Sequence, residues 1–402
     1  MGYTGINMEN VKSRNQSSIL KLLNDKGPMS RKDIAAQLGL TPASVTVLCA
    51  ALLSDGMLYE VGEVQESNRV GRRKVLLDVN YEYRYVLSIC IETPVTSLSI
   101  CDLHGEHCTT RKIQTDTEVP AEEFLKAVAD TGKVLMWEAG VRRSQLLGAG
   151  VSVPGPVDRR KGVSQHAYRI WDKPVPVVDC LQQALDCPVL LENNVRAFAQ
   201  AELLYGMGKT RRNLIFLKWG PGVGSAIVAD GHIYESQAFK NAEIGHVRVV
   251  YRNGVRCYCG RRGCLETMVA SHPLVRRLQE ACSPTATPKL WQAVGGEPSE
   301  ITTRDLPRLA ELDDPGMWKL LDEAFEMMAH VTGGMLTMLA PDRLILYGNM
   351  FALPHFLERF RAACKRYDPH YDENYVVMSE LAGKIDYIGP LAIVASELFY
   401  QE

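Results

Sequence analysis

Apolar positions near the N-terminus recur first at helical and then at strand spacing. Ile19, Leu20, Leu22 and Leu23 predict an amphipathic helix from about Asn15 that stops at Gly27-Pro28. Ser30 caps a second helix, with Asp33 at its N3 position, Ile34, Ala35 and Leu38 turned inward, and Gly39 breaking it. Thr41 caps a third helix with Pro42 at N1. Val45, Leu48 and Leu52, at i, i+3 and i+7, give it one buried face before Gly56 ends it. Two β-like segments, Leu58–Val64 and Lys74–Val79, flank a polar tip at 65–73. Helix, helix–Gly–helix and hairpin in this order is the layout of a winged helix-turn-helix.

From Tyr85 onward the pattern becomes α/β. Apolar runs at 86–91 and 98–103 read as adjacent strands, a helix follows at about 119–139, and Leu146–Val153 is a further strand ending in Pro154-Gly155-Pro156. A short strand at 188–191 runs through Glu192-Asn193-Asn194 into a helix at 195–205. Leu214–Trp219 and Val223–Ala229 form a second strand pair, joined by Gly220-Pro221-Gly222. Segments 273–282 and 318–338 are helical, 344–347 is a strand, and 391–399 is a final helix. Strand pairs followed by helices, twice over, predict two α/β lobes with a cleft between them. The expected domains are therefore 1–80, a DNA-binding module, and 81–402, with a lobe boundary near 193–210 and the final helix returning to the first lobe.

At 402 residues the chain is long enough for two or three domains, and a net charge of −2 announces neither a nucleic-acid nor a membrane partner. Eleven scattered cysteines, an odd number, argue against a secreted disulfide framework. No stretch approaches the ~18 apolar residues of a spanning helix, and the N-terminus lacks a signal-peptide core, so a cytoplasmic protein is expected. Charge is informative locally. The outward residues of the third helix, Ala43, Ser44, Thr46, Val47 and Ala50, include no cation, whereas Arg69, Arg72, Arg73 and Lys74 cluster at the hairpin, whose tip is Gly71-Arg72-Arg73. With Arg31 and Thr41, these make a DNA surface in which the helix reads bases through hydroxyls and methyl contacts and the tip enters a narrow minor groove.

The chemistry concentrates in one segment, where His246, Cys257, Cys259 and Cys264 are spaced H-x10-C-x-C-x4-C. One imidazole and three thiols suit tetrahedral Zn2+ and leave no open position for water, which marks a structural site, one ion per chain. Glu243 and Glu266 bracket it.

These motifs carry a resemblance. Glu243-Ile-Gly-His246, Cys257-x-Cys259-Gly-x-x-Gly-Cys264-Leu-Glu266, Ser152-Val-Pro-Gly155-Pro-Val-Asp158, Ser30-Arg31-x-x-Ile34-Ala35 and Gly71-Arg72-Arg73 together resemble the ROK family (repressors, open reading frames, kinases). The likeness is to its repressor branch, which includes xylose and N-acetylglucosamine repressors. The resemblance implies a winged helix followed by a two-lobed, actin-like (ribonuclease H-like) sugar-kinase fold, and a homodimer or homotetramer on a double-stranded DNA operator. It also implies a sugar or phosphosugar inducer held by Gly155, Asn193, Asn194, Glu243, His246 and Glu266. The alternative for Glu243 and Glu266, that they only orient the metal ligands, stays open.

Two departures bear on catalysis. Where the family's kinases have an Asn-Asp pair whose carboxylate accepts the hydroxyl proton, this chain has Asn193-Asn194, and an amide is no base. The glycine-rich phosphate loop expected after the first strand is replaced by Ile91-Glu92-Thr93-Pro94-Val95, which has no glycine, lacks one N–H at Pro94, and carries a negative charge. The expectation is thus a sugar-responsive transcriptional regulator without catalytic residues. A sugar kinase with an appended DNA-binding domain is the alternative.

Overall fold

The protein is described by a computed structural model covering residues 8–64, 74–106, 108–236 and 242–401. It divides into two compact units, residues 1–205 with 386–402, and residues 206–385.

The first unit opens with α1 (Met8–Lys26), which starts earlier than the apolar pattern predicts because residues 10–14, Asn-Val-Lys-Ser-Arg, carry no apolar repeat. A two-residue strand, β1 (Met29–Ser30), leads into α2 (Arg31–Leu38) and α3 (Pro42–Ser54). Both predicted caps form: the Ser30 hydroxyl accepts from the Asp33 N–H at 3.3 Å and the Thr41 hydroxyl from the Ser44 N–H at 3.2 Å. Gly39, at φ 66°, takes the left-handed conformation that closes α2 cheaply only for glycine. The two helices meet at 118°, the helix-turn-helix geometry, and bury Ile34, Val45, Leu48 and Leu52 with Ile19 and Leu23 of α1. β2 (Leu58–Val64) and β3 (Lys74–Val79) pair antiparallel as expected, and β1 extends them in the order β1-β3-β2. The tip at 65–73, with Gly71, Arg72 and Arg73, lies outside the described residues.

Asn24 ties this module to the rest of its unit. Its amide nitrogen donates to the Leu204 carbonyl at 2.9 Å, and its oxygen accepts from the hydroxyls of Tyr81 at 3.3 Å and Tyr400 at 3.2 Å.

The remainder of the first unit runs β4 (Tyr85–Ile91), β5 (Val95–Cys101), β6 (Cys108–Gln114), α4 (Ala121–Glu138), β7 (Leu146–Val153), the small hairpin β8 (Val157–Asp158) and β9 (Val163–Ser164), α5 (Val177–Leu185), β10 (Val189–Asn193) and α6 (Asn194–Tyr205). The strand expected at 98–103 is β5, which ends sooner because the Asp102 carboxylate accepts from the backbone of His104 and Glu106 and turns the chain. The sheet order is β10-β7-β4-β5-β6, with β4, β7 and β10 parallel and the β4-β5-β6 meander antiparallel.

The second unit has β11 (Leu214–Trp219), β12 (Val223–Ala229) and β13 (His232–Ile233), then α7 (Glu266–Val269), α8 (Ser271–Ala281), α9 (Pro288–Ala293), α10 (Leu306–Leu309), α11 (Pro315–Leu339), β14 (Arg343–Tyr347), α12 (Pro354–Tyr367) and β15 (Val376–Met378). Its sheet order, β13-β12-β11-β14-β15, repeats that of the first: a three-stranded meander followed by two parallel strands. This doubled topology is that of the ribonuclease H-like sugar-kinase fold. Trp219 centres the second core, with Phe325, Phe351 and Phe356 ring centroids 5.2–5.9 Å away and its indole N–H donating to the Val269 carbonyl. The last helix, α13 (Ile388–Val394), continuing as a wider π turn through Phe399, belongs to the first unit. Among the described residues no single helix is long and apolar enough to cross a membrane.

Candidate metal centre and ligand-binding residues

The metal cluster forms because the Gly263 turn folds the cysteine segment back on itself. Gly263 sits at φ 74°, and a Cβ there would lie 2.0 Å from the Val250 carbonyl oxygen. The Gly263 carbonyl accepts from the Val249 and Val250 N–H groups, and Leu265 N–H donates to Val247. These bonds bring His246, on a short 3-10 turn, beside Cys257, Cys259 and Cys264, and the four ligand atoms lie within 4.8 Å of one another. Cys259 and Cys264 sulfurs are 3.7 Å apart, and Cys257 Sγ is 3.5 Å from His246 Nδ1. An ion about 2.3 Å from sulfur and about 2.0 Å from nitrogen, with tetrahedral angles, requires separations of about 3.8 and 3.5 Å. The donor set therefore fits Zn2+ in identity, and the Cys259–Cys264 and Cys257–His246 separations match its dimensions.

The carboxylates beside it have distinct duties. Glu243 Oε2 is 3.5 Å from His246 Nε2, so the ring nitrogen turned away from the cluster faces a carboxylate, as in metal sites whose histidine is oriented from behind. Glu266 is buried at the start of α7, and its Oε2 accepts from the Val223 N–H at 3.1 Å. That bond ties the segment after Cys264 to the start of β12.

In the first unit, β10 delivers Asn193 and α6 begins at Asn194. The Asn193 side-chain oxygen accepts from the N–H groups of Val195 at 2.9 Å and Arg196 at 3.2 Å, capping the helix, and its nitrogen donates to the Gly155 carbonyl at 2.9 Å. Gly155, at φ 91°, has no room for a side chain: a Cβ would lie 2.3 Å from the His166 carbonyl oxygen. Asn193 thus holds the Gly155 loop against the helix start. Asn194 donates to Glu92 Oε1 at 2.7 Å. The sequence marks Glu92 only as a charge hostile to phosphate and does not reveal this pair, which sets a carboxylate against the Asn194 amide. Behind them Glu192 is buried between Arg196 and Arg159. Burial pushes its carboxyl above the usual range, and the two guanidinium groups oppose that shift.

On the helix-turn-helix, Thr41, Ala43, Ser44, Thr46, Val47 and Ala50 are all exposed. The Thr46 hydroxyl donates to the Pro42 carbonyl at 2.8 Å, which leaves its lone pairs to accept. Arg31 pairs with Glu60 at 3.4 Å, an interaction that a phosphate would have to replace.

The ROK family profile matches residues 88–395, and a winged helix-turn-helix DNA-binding profile matches residues 12–59. The xylose repressor of Bacillus spizizenii is 24% identical over 377 residues, 93% of this chain and 92% of the repressor. Among solved structures, a ROK family transcriptional regulator described as a homologue of the Escherichia coli Mlc protein superposes with a TM-score of 0.79 at 22% identity, covering 97% of both chains. A ROK family glucokinase from Streptomyces griseus, in complex with glucose and AMPPNP, gives 0.67 at 22% identity and covers 77% of this chain and 98% of its own. The glucokinase matches a shorter part of the chain than the regulator does. With most of its length under the family profile and a winged helix-turn-helix ahead of it, the chain belongs to the ROK family.

Proposed function

We propose that this protein is a zinc-containing transcriptional repressor of carbohydrate-utilisation genes, released from its operator by a sugar or phosphosugar and inactive in phosphoryl transfer. The observation that carries the reading is the helix-turn-helix, capped at both helices and with an uncharged exposed face on α3, preceding a ROK domain. Gly155, Asn193 and Asn194 in the first unit, and Glu243, His246 and Glu266 in the second, are the residues we assign to the inducer. Polyols are held by carboxylates and amides because each group offers paired hydrogen-bonding atoms in a fixed plane. The protein acts as a homodimer or homotetramer in the cytoplasm, and two winged helices must meet half-sites about one helical turn apart, so a modest rotation on ligand binding abolishes the fit.

The kinase reading has one observation in its favour, the Glu92 carboxylate beside Asn194. Against it stand the absence of glycine in residues 91–95 and the missing N–H of Pro94, which remove the first of the two backbone turns that would cradle a nucleotide phosphate, the second being Gly220-Pro221-Gly222-Val223-Gly224. Hexose-dependent ADP release is expected to stay at background and to be the same in the parent and in Glu92→Gln. Turnover that is well above background and lost in Glu92→Gln would establish the kinase instead.

DNA affinity is expected to rest heavily on the hairpin tip, since α3 has no cation. Replacing Arg72 and Arg73 with Ala should weaken binding and reduce the salt slope by roughly one unit per lost phosphate contact. Titrations of promoter DNA at several salt concentrations measure both, and an unchanged affinity and slope would place the tip away from DNA.

A further inference from the structure

The hairpin between β5 and β6 carries a cysteine at each end. Cys101 and Cys108 are direct partners in the antiparallel register. Directly opposed residues of an antiparallel pair have Cα atoms about 4.5–5.5 Å apart, inside the about 4.4–6.8 Å that a disulfide spans. Cys101 is fully buried, whereas Cys108 is only partly so and can meet a small solute.

The turn they bracket is the seat of the DNA-binding module. Leu103 N–H donates to the Tyr81 carbonyl at 2.9 Å, just after β3, and its own carbonyl accepts from the Tyr205 hydroxyl at 2.7 Å at the end of α6. The His104 ring packs on Tyr81 with centroids 4.4 Å apart, and the Gly105 carbonyl accepts from the Tyr387 hydroxyl at 3.2 Å, just before α13. Tyr81 in turn reaches Asn24 of α1. Three segments of the first unit therefore converge on one short turn closed by two thiols.

We propose that Cys101 and Cys108 are a redox-active dithiol, oxidised by peroxide to a cross-strand disulfide that stiffens the seat of the winged helix. The Cys108 sulfur attacks one peroxide oxygen, the O–O bond breaks, and the departing hydroxide takes the thiol proton as water, leaving a sulfenic acid on Cys108. The Cys101 sulfur attacks that sulfur, the S–S bond forms, the S–O bond breaks, and the hydroxyl leaves with the Cys101 proton as a second water. The two sulfurs lose two electrons and the peroxide is reduced to two waters. A small thiol reverses the step by exchange. Cys101 is buried and Cys108 is partly exposed, so peroxide meets Cys108 first and Cys101 is left to resolve the sulfenic acid. Reversible pairs of this kind are the form in which disulfides occur in reducing compartments.

The test uses the full, zinc-loaded chain, treated with hydrogen peroxide, alkylated, digested without reductant and, in parallel, followed by hydrogen exchange. A peptide linking Cys101 to Cys108, lighter by two hydrogens, is expected, together with exchange at the Leu103 amide slowed at least about tenfold. Both changes are expected to revert with a small thiol and to be absent in Cys108→Ala, whose altered side chain is partly exposed. Full alkylation of both cysteines after treatment, linkage with unaltered exchange at Leu103, or slowed exchange persisting in Cys108→Ala would each overturn the proposal.

Discussion

Pure protein is expected to carry one zinc per chain, and chelation is expected to lower its thermal midpoint by roughly 10 °C or more. Structural zinc sites bind with apparent free energies of about 10–16 kcal/mol, much of it coupled to folding. Realising even about 3–4 kcal/mol of this shifts the midpoint of a unit of this size by roughly 10 °C. The loss should be local, because the cluster organises 246–266 while the aromatic core around Trp219 lies in other elements of the same unit. Hydrogen exchange after chelation should accelerate at Val249, Val250 and Leu265, whose N–H groups close the loop, and Cys264→Ser should reproduce the effect. Metal analysis on purified protein and a melting curve with and without chelator make the check. Substoichiometric zinc with an unaltered midpoint would leave the four ligands without their assigned role.

Glu243→Gln is expected to leave the fold and basal operator binding intact and to raise the inducer concentration for release by roughly ten- to a hundredfold. A charged hydrogen bond contributes about 1.5–3 kcal/mol, and glutamine accepts at one end only where glutamate accepts at both. The geometry sharpens the test, since Glu243 also faces His246 Nε2 at 3.5 Å. If its sole duty is to orient the histidine, Glu243→Gln should lower zinc content or stability and leave the inducer response of the loaded protein unchanged. Inducer titrations against promoter DNA, with zinc measured on the same samples, separate the two. Operator binding must survive for the comparison to hold, because a ligand shifts only an equilibrium between states it binds differently.

The sequence showed most clearly what is decided by neighbours along the chain. The caps at Ser30 and Thr41, the Gly39 stop and the Gly220-Pro221-Gly222 hairpin depend on a few adjacent residues, and they are found where the pattern put them. β6 was not legible, because Cys-Thr-Thr-Arg-Lys-Ile-Gln is an edge strand with a largely exposed face and no apolar run. β1 and β15, at two and three residues, are too short for any periodicity and exist only through their partners. α5 and α12 carry apolar spacing of their own and are not among the elements the pattern predicts. In the site, the four metal ligands were legible because they are crowded into 246–264. The Asn194–Glu92 pair joins residues 102 positions apart and emerges only when β4 and β10 flank β7 in one sheet. The division of labour between Asn193 and Asn194 was equally hidden, since two identical amides differ only in the bonds the fold gives them.

A helix is stiff along its axis, and α6 has a different trade at each end. At its first residue, Asn194 grips Glu92; one residue before its last, the Leu204 carbonyl is grasped by Asn24. Twelve residues make a rod about 18 Å long that neither stretches nor telescopes, so an axial push on Asn194 has to emerge at Leu204 or be spent on bending. A displacement of the Asn194–Glu92 pair along the helix axis would therefore reach the Leu204–Asn24 bond that holds the winged helix.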